Sequence, residues 1–171
     1  MILEKLVPDC AHCAALCCVA FAFDRSADFG HDKAGDEPCR HLGAGFSCTI
    51  HDRLATSGYG GCVRFDCHGA GQRVVRELFG GADWKTDPDL KAPMMAAFRV
   101  MRRVHEMLHL LETAASLGLD ERAGAGREAL VAMLDPQAGW TADSLAAFDI
   151  AGAEERVALH LRALSGHVAA N

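Results

Sequence analysis

All eight cysteines of this 171-residue chain fall before residue 70, and four of them sit in the nine-residue stretch "CAHCAALCC", Cys10 to Cys18. The other four, Cys39, Cys48, Cys62 and Cys67, follow within one segment, and the remaining hundred or so residues carry none. A small apolar residue serving only the core would be spread over both halves of a chain. The first 70 residues therefore read as a sulfur-ligand site, with Cys10, Cys13, Cys17, Cys18, Cys39, Cys48, Cys62 and Cys67 as the candidate metal ligands.

Within "CAHCAALCC" the spacings are three, four and one. On a helical turn Cys10, Cys13 and Cys17 would share a face, and Cys18 would be rotated by roughly 100° from Cys17. Adjacent cysteines seldom aim at one point, so Cys17 and Cys18 serve different centres or one ligates while the other packs. Thiolates suit zinc in four-coordinate sites and iron-sulfur clusters. Eight of them complete two four-ligand sites, or one site with four left over. Four disulfides are the other use of an even count. The start of the chain has no basic region followed by an apolar stretch and a cleavage site, so the expected compartment is the cytoplasm, where cysteine clusters more often hold metal.

The pattern resembles that of the bacterial cysteine-cluster proteins with a CxxCxxCC signature, described as zinc- or iron-chelating and often labelled iron-sulfur-cluster proteins. The resemblance covers about residues 10 to 72. It rests on Cys10, Cys13, the pair Cys17 and Cys18, Cys39 in "PCRHLG", Cys48 in "CTIHDRL", Cys62, and Cys67 in "DCHGAGQ". The chain is more similar to a subgroup with LCC in the first motif and GAGQ after the last cysteine, some members of which carry pentapeptide repeats further on. It departs from the broad signature by one extra residue between Cys13 and Cys17, and it has no such repeats. The resemblance implies metal binding, with no settled biochemical task.

Zinc is the favoured cofactor and an iron-sulfur cluster the alternative, in a structural or regulatory role; a redox or sensing role and metal storage or delivery are further readings. Arg40, Arg53 and Arg64 are placed in sequence to neutralise thiolate charge. His12, His41, His51 and His68 lie near cysteines and could each replace one as ligand, but eight cysteines suffice for two sites.

The expected architecture is mainly α, with a small irregular or β metal-stapled module over residues 1–82 and a helical part over 83–171 packed on it, one continuous domain being the alternative. "VAFAF" alternates like a short strand, and "FSCTIHDRL" and "GCVRFDC", separated by "SGYGG", suggest a hairpin carrying Cys48, Cys62 and Cys67. Its core would be thin, a situation in which a structural metal contributes on the order of 10 kcal/mol to folding.

After "HGAG" the apolar period lengthens to between three and four. "QRVVRELF" reads as a helix ended by Gly80 and Gly81; a second helix, capped by Asp87 or Asp89, runs to about Leu117 with Ala97, Met101, Val104, Leu108, Leu111 and Ala115 as its apolar stripe. A third runs from near Asp120 to Asp135, and a fourth occupies much of Thr141 to Ala170 with a break near Gly152.

His105, Glu106 and His109 spell H-E-x-x-H in the second helix. In zinc peptidases two such histidines face the metal and the glutamate acts as base. Arg103 breaks the uncharged surroundings that this motif wants, and a third ligand, Glu128 or His160, is suggested only by distance along the chain. The bland alternative is a pair of core or boundary histidines. GAGQ lacks the Lys-Ser/Thr of a phosphate loop.

A net charge of -6 disfavours a partner held by phosphate contacts, so no nucleic acid is expected. No apolar run is long enough to span a bilayer. The expected partners are a metal ion and, through the helical part, another protein.

Overall fold

The structure, a computed structural model, describes residues 2–165. A first short helix, α1 (Ile2–Lys5), is followed by a 3-10 turn at Cys10–His12 and by α2 (Leu16–Ala20). A long irregular stretch then holds a 3-10 turn at His51–Arg53 before α3 (Gly60–Arg64) and α4 (Ala70–Arg73), whose last turn continues as π-helix over Val74–Leu78. The second half is made of α5 (Lys91–Ala114), α6 (Glu121–Leu134), α7 (Ala142–Ala146) and α8 (Ile150–Ala163).

Helix α5 is the centre of the packing, with α2 and α4 from the first half and α6, α7 and α8 from the second laid against it. Its boundaries follow from local chemistry. The Asp87 side chain accepts from the Asp89 amide, Pro88 opens the 3-10 turn that leads in, and Pro93 falls in the first helical turn, where a missing N–H costs little. At the far end Gly118 takes φ +65°, the left-handed stop that glycine adopts without strain. Met101, Val104, Leu108 and Leu111 are buried as the apolar stripe requires, but Ala97 is half-buried and Ala115 exposed; Met94, Phe98 and Ala114 are buried instead. Elements pack on α5 from several sides, so its buried face is wider than one stripe.

Asp120, Thr141 and Asp149 cap α6, α7 and α8 through their side chains. The expected single helix from Thr141 is therefore two, and the break comes at residues 147–149 rather than at Gly152, because Asp149 restarts the helix by accepting from the Gly152 amide at 3.0 Å. The end of that expected helix, residues 166–170, lies outside the described residues.

One hydrophobic core joins the two halves: Leu16, Val19, Ala70 and Val74 pack in the same cluster as Phe98, Met101, Leu108, Leu134, Leu145 and Val157. Polar ties cross the same boundary. Trp84 Nε1 donates to the Ala14 carbonyl at 2.8 Å, Arg99 donates to the Ala20 carbonyl at 2.6 Å, and Asp135 accepts from both Lys5 and Arg73.

The β part of the expected module does not form. Among the described residues β pairing is limited to two isolated antiparallel bridges, Phe23 with Lys33 and Leu42 with Cys48. Val19 and Ala20 of "VAFAF" finish α2. In place of the hairpin, His51–Arg53 closes into a 3-10 turn and Gly60–Arg64 coils into α3. The reason is burial: Val63 and Phe65, which would share one face of the second strand, stay 56% and 39% exposed. A strand whose apolar face stays this open gains little over a local helical turn. Gly61 also needs to be glycine against Phe29, since a Cβ there would stand 2.2 Å from the ring.

Among the described residues no helix is long and apolar enough to cross a membrane.

Candidate metal centre

The first cysteine turn is not one helix. Cys10–His12 is a 3-10 turn in which the Cys13 thiol reaches back to the Cys10 carbonyl at 3.3 Å. Ala14 and Ala15 then take φ of 47° and 53°, a left-handed corner that costs an L-residue about 1–2 kcal/mol per position. The shared helical face expected for Cys10, Cys13 and Cys17 is thus replaced by a corner, which also absorbs the extra residue between Cys13 and Cys17. The three nevertheless line one pocket, and Cys67 joins them there, together with Gly71, Gln72 and Phe98. The pocket encloses about 20 Å³, room for a single ion or water.

The GAGQ motif is what brings Cys67 to that corner. Gly69 has φ +78°, and a Cβ on it would lie 2.1 Å from the Lys5 carbonyl oxygen. Ala70 is fully buried. A Cβ on Gly71 would lie 2.8 Å from Cys13 Cβ, so α4 docks against the first cysteine turn only because that side chain is missing. Gln72 fastens the approach to Cys10 from both sides, donating to the Val7 carbonyl at 2.7 Å and accepting from the Asp9 amide at 3.1 Å. The lack of a Lys-Ser/Thr excludes a phosphate loop here, and the two glycines at the start of the helix are the sequence trace of this docking.

Cys18, Cys39, Cys48 and Cys62 form a second neighbourhood. The Cys39 amide donates to the Cys18 carbonyl at 2.9 Å, and Leu42, whose amide bonds the Cys39 carbonyl, forms the bridge with Cys48. Cys62 sits at the start of α3 with its amide on the Tyr59 carbonyl, and its thiol feels the charges of Cys18, Cys39 and Cys48. Beside this group the Tyr59 hydroxyl lies 2.7 Å from His31 Nδ1 and 2.8 Å from His41 Nε2, so His41 is engaged within the fold. Cys17 and Cys18 stand where the two neighbourhoods meet, their sulfurs 4.0 Å apart.

All eight cysteines are free thiols. Burial pushes Cys13 and Cys62 up to about 11 and raises Cys10 and Cys39 as well. Cys17 is held well above the ordinary range by its contact with Cys18 and by burial. Cys18 is lowered to about 7, first because Cys17 donates to it and then because of the charge of Lys33. Most of the thiols are therefore protonated at neutral pH, and a divalent cation would have to displace those protons to bind. As the side chains stand, no three cysteine, histidine or carboxylate groups among the described residues are arranged to hold a metal ion. The first neighbourhood is supplied by two separate stretches of backbone, residues 10–17 and Cys67, and the second by four, around Cys18, Cys39, Cys48 and Cys62. Their donor set fits zinc, whose S–Zn distance of about 2.3 Å gives a tetrahedral S–S edge near 3.8 Å.

Of the three arginines expected to neutralise sulfur, Arg64 is committed to Asp28 at 2.6 Å. The buried cation near thiols is Lys33, 7% exposed, from a stretch that reads in sequence as a plain polar loop.

The H-E-x-x-H helix is not arranged as a peptidase site. His105 is fully buried, with Nδ1 2.5 Å from the His68 carbonyl and Nε2 3.3 Å from the Arg73 guanidinium, so both ring nitrogens are taken. Burial lowers it to about 4, which leaves it neutral, donating from Nδ1 and accepting at Nε2. His109 stacks on the His68 ring at 4.3 Å, and Glu106 pairs with Arg102 at 3.0 Å. His160 instead packs beside Gly126 of α6. The core-histidine alternative describes His105.

The chain matches no protein-family model and no solved structure. Among curated proteins, the uncharacterized protein YybG of Bacillus subtilis (strain 168) is 42% identical to it over 114 residues, which are 67% of this chain and 41% of YybG. The chain therefore spans about two-fifths of the length of that relative.

Proposed function

We propose that this is a metal-binding protein in which two groups of four cysteines each hold one zinc ion, in a structural or regulatory role. Cys10, Cys13, Cys17 and Cys67 make the first site; Cys18, Cys39, Cys48 and Cys62 make the second. The observation that carries the reading is the single-ion pocket lined by four cysteines from two distant stretches of chain, with GAGQ shaped to close it. A zinc ion bound by four thiolates has no open position and no redox chemistry, so it cross-links the loops that supply its ligands. Around it this chain's own residues act as positioners: Gln72 fixes the loop before Cys10, Trp84 holds the Ala14 carbonyl, and the Cys18–Cys39 backbone bond ties the second group together.

The test is native mass spectrometry with metal analysis and an absorption spectrum on anaerobically purified protein. Two zinc ions per chain are expected, with Cys67→Ser and Cys39→Ser each losing one. A folded, metal-free protein with eight alkylatable thiols would overturn the reading, and brown protein with bound iron and sulfide would replace zinc by an iron-sulfur cluster.

A further inference from the structure

Lys33 is the charged side chain that the fold buries beside the second cysteine group. Its ammonium donates to the carbonyls of Val19 at 3.0 Å, Ala34 at 3.0 Å and Glu37 at 2.8 Å, so its three donors are spent on neutral acceptors. Those carbonyls flank the cysteines: Val19 follows Cys18, and Glu37 lies two residues before Cys39. Among the described residues no carboxylate forms an ion pair with Lys33, and three acids of its own loop are engaged elsewhere. Asp28 is bound to Arg64, Asp32 accepts from the Arg25 amide, and Asp36 is bound to Arg99. A buried cation without an anion is costly. Burial lowers the Lys33 ammonium, and the groups that oppose this are Cys39 and Cys18 first, then Asp36 and Glu37; the two thiols become anions at that cation when a metal displaces their protons. The first cysteine group has the opposite surroundings. Asp9 and Asp66 bear on Cys10, the exposed Arg76 is spent on Asp9, and the buried Arg73 at the end of α4 is consumed by Glu77 and Asp135.

Resting on the two-site reading above, we infer that Lys33 is the fixed counter-charge of the Cys18, Cys39, Cys48 and Cys62 group and makes that group the first and tighter of the two zinc sites. A four-thiolate zinc site carries two negative charges. Cys17 and Cys18, assigned to different sites, are adjacent in the chain with their sulfurs 4.0 Å apart, so the two charged sites would stand side by side. Filling either site therefore disfavours the other, and Lys33 decides the order.

Zinc is titrated against a chromophoric chelator in the native chain and in Lys33→Gln, which keeps hydrogen-bonding capacity and removes the charge. The native chain should show two steps, the tighter one missing in Cys39→Ser. Lys33→Gln should weaken that step by roughly 10–100-fold, the usual effect of losing an outer partner of a metal ligand, with the weaker step unchanged and with recovery in Lys33→Arg. Equal weakening of both steps, no weakening, or loss of the tighter step in Cys67→Ser overturns the inference. A second measurement needs no variant: with one equivalent of zinc added to the native chain, alkylation and mass mapping should find Cys18, Cys39, Cys48 and Cys62 protected. Protection of Cys10, Cys13 and Cys67 instead would refute the order. A chain that takes up no zinc at all refutes the two-site reading itself.

Discussion

Replacing Gly69 by alanine should be among the most damaging single-methyl changes the chain can suffer, and two separate costs make it so. Gly69 has φ +78°, where an L-residue is strained by about 1–2 kcal/mol. The new Cβ would also stand 2.1 Å from the Lys5 carbonyl oxygen and 3.1 Å from its carbonyl carbon. Backbone atoms cannot swing away as a side-chain tip can, so an overpacking cost of about 1–3 kcal/mol adds to the first. The sum, about 2–5 kcal/mol, corresponds to a melting temperature lowered by ~4–20 °C in a chain of this size. Gly58 supplies the control. Its φ is +80°, but nothing lies within 4 Å of its missing Cβ, so Gly58→Ala should pay only the backbone strain, ~2–8 °C. Both substitutions stiffen the unfolded chain alike, and that contribution cancels in the comparison. Thermal unfolding followed by far-ultraviolet circular dichroism, with all proteins at the same metal content, reads both. If Gly69→Ala melts no lower than Gly58→Ala, the docking of GAGQ on the Lys5 carbonyl is wrong.

Two further outcomes are expected. His105 is neutral in the fold, lowered to about 4 against an ordinary value near 6.5, so the unfolded chain takes up a proton in this window and the folded one does not. Stability should therefore fall as pH drops from about 6.5 to about 4, by up to about 3 kcal/mol, and urea unfolding of the metal-free protein should show this loss reduced in His105→Gln. An equal pH dependence in both proteins would refute the assignment. Ala15→Gly, at φ 53°, should be close to neutral, because the relieved strain of about 1–2 kcal/mol offsets the added chain entropy of about 0.5–1 kcal/mol and the lost buried methyl of about 0.8 kcal/mol; a loss above about 1 kcal/mol, read from the denaturation midpoint, would contradict the left-handed corner.

The helical half could be read from the sequence because its signals are local. Asp87, Gly118, Asp120 and Thr141 act on their own backbone within a few residues, and Met101, Val104, Leu108 and Leu111 repeat at the spacing of a helix face. The cysteine half obeys tertiary demands that leave little local trace. Nothing about two alanines announces a left-handed corner; that geometry is held from outside by Trp84 on the Ala14 carbonyl. Val63 and Phe65 alternate as a strand would, but Val63 stays 56% exposed and Phe65 is covered on one side, by the Phe21 ring. Lys33 sits among acids in sequence, and only the fold turns it away from them toward three carbonyls. His105 matched a catalytic motif because the sequence does not display that His68 and Arg73 occupy both its nitrogens.

The shared core has a consequence in time. During synthesis the eight thiols leave the ribosome first, whereas Phe98, Met101, Leu108 and Leu111, which cover Leu16, Val19 and Val74, come later on α5. Between Cys67 and Leu111 lie some forty residues, about 2–9 s of translation. For those seconds the cysteines are in place along the chain with no interior to shelter them, and whatever cation or oxidant reaches them then meets an open cluster.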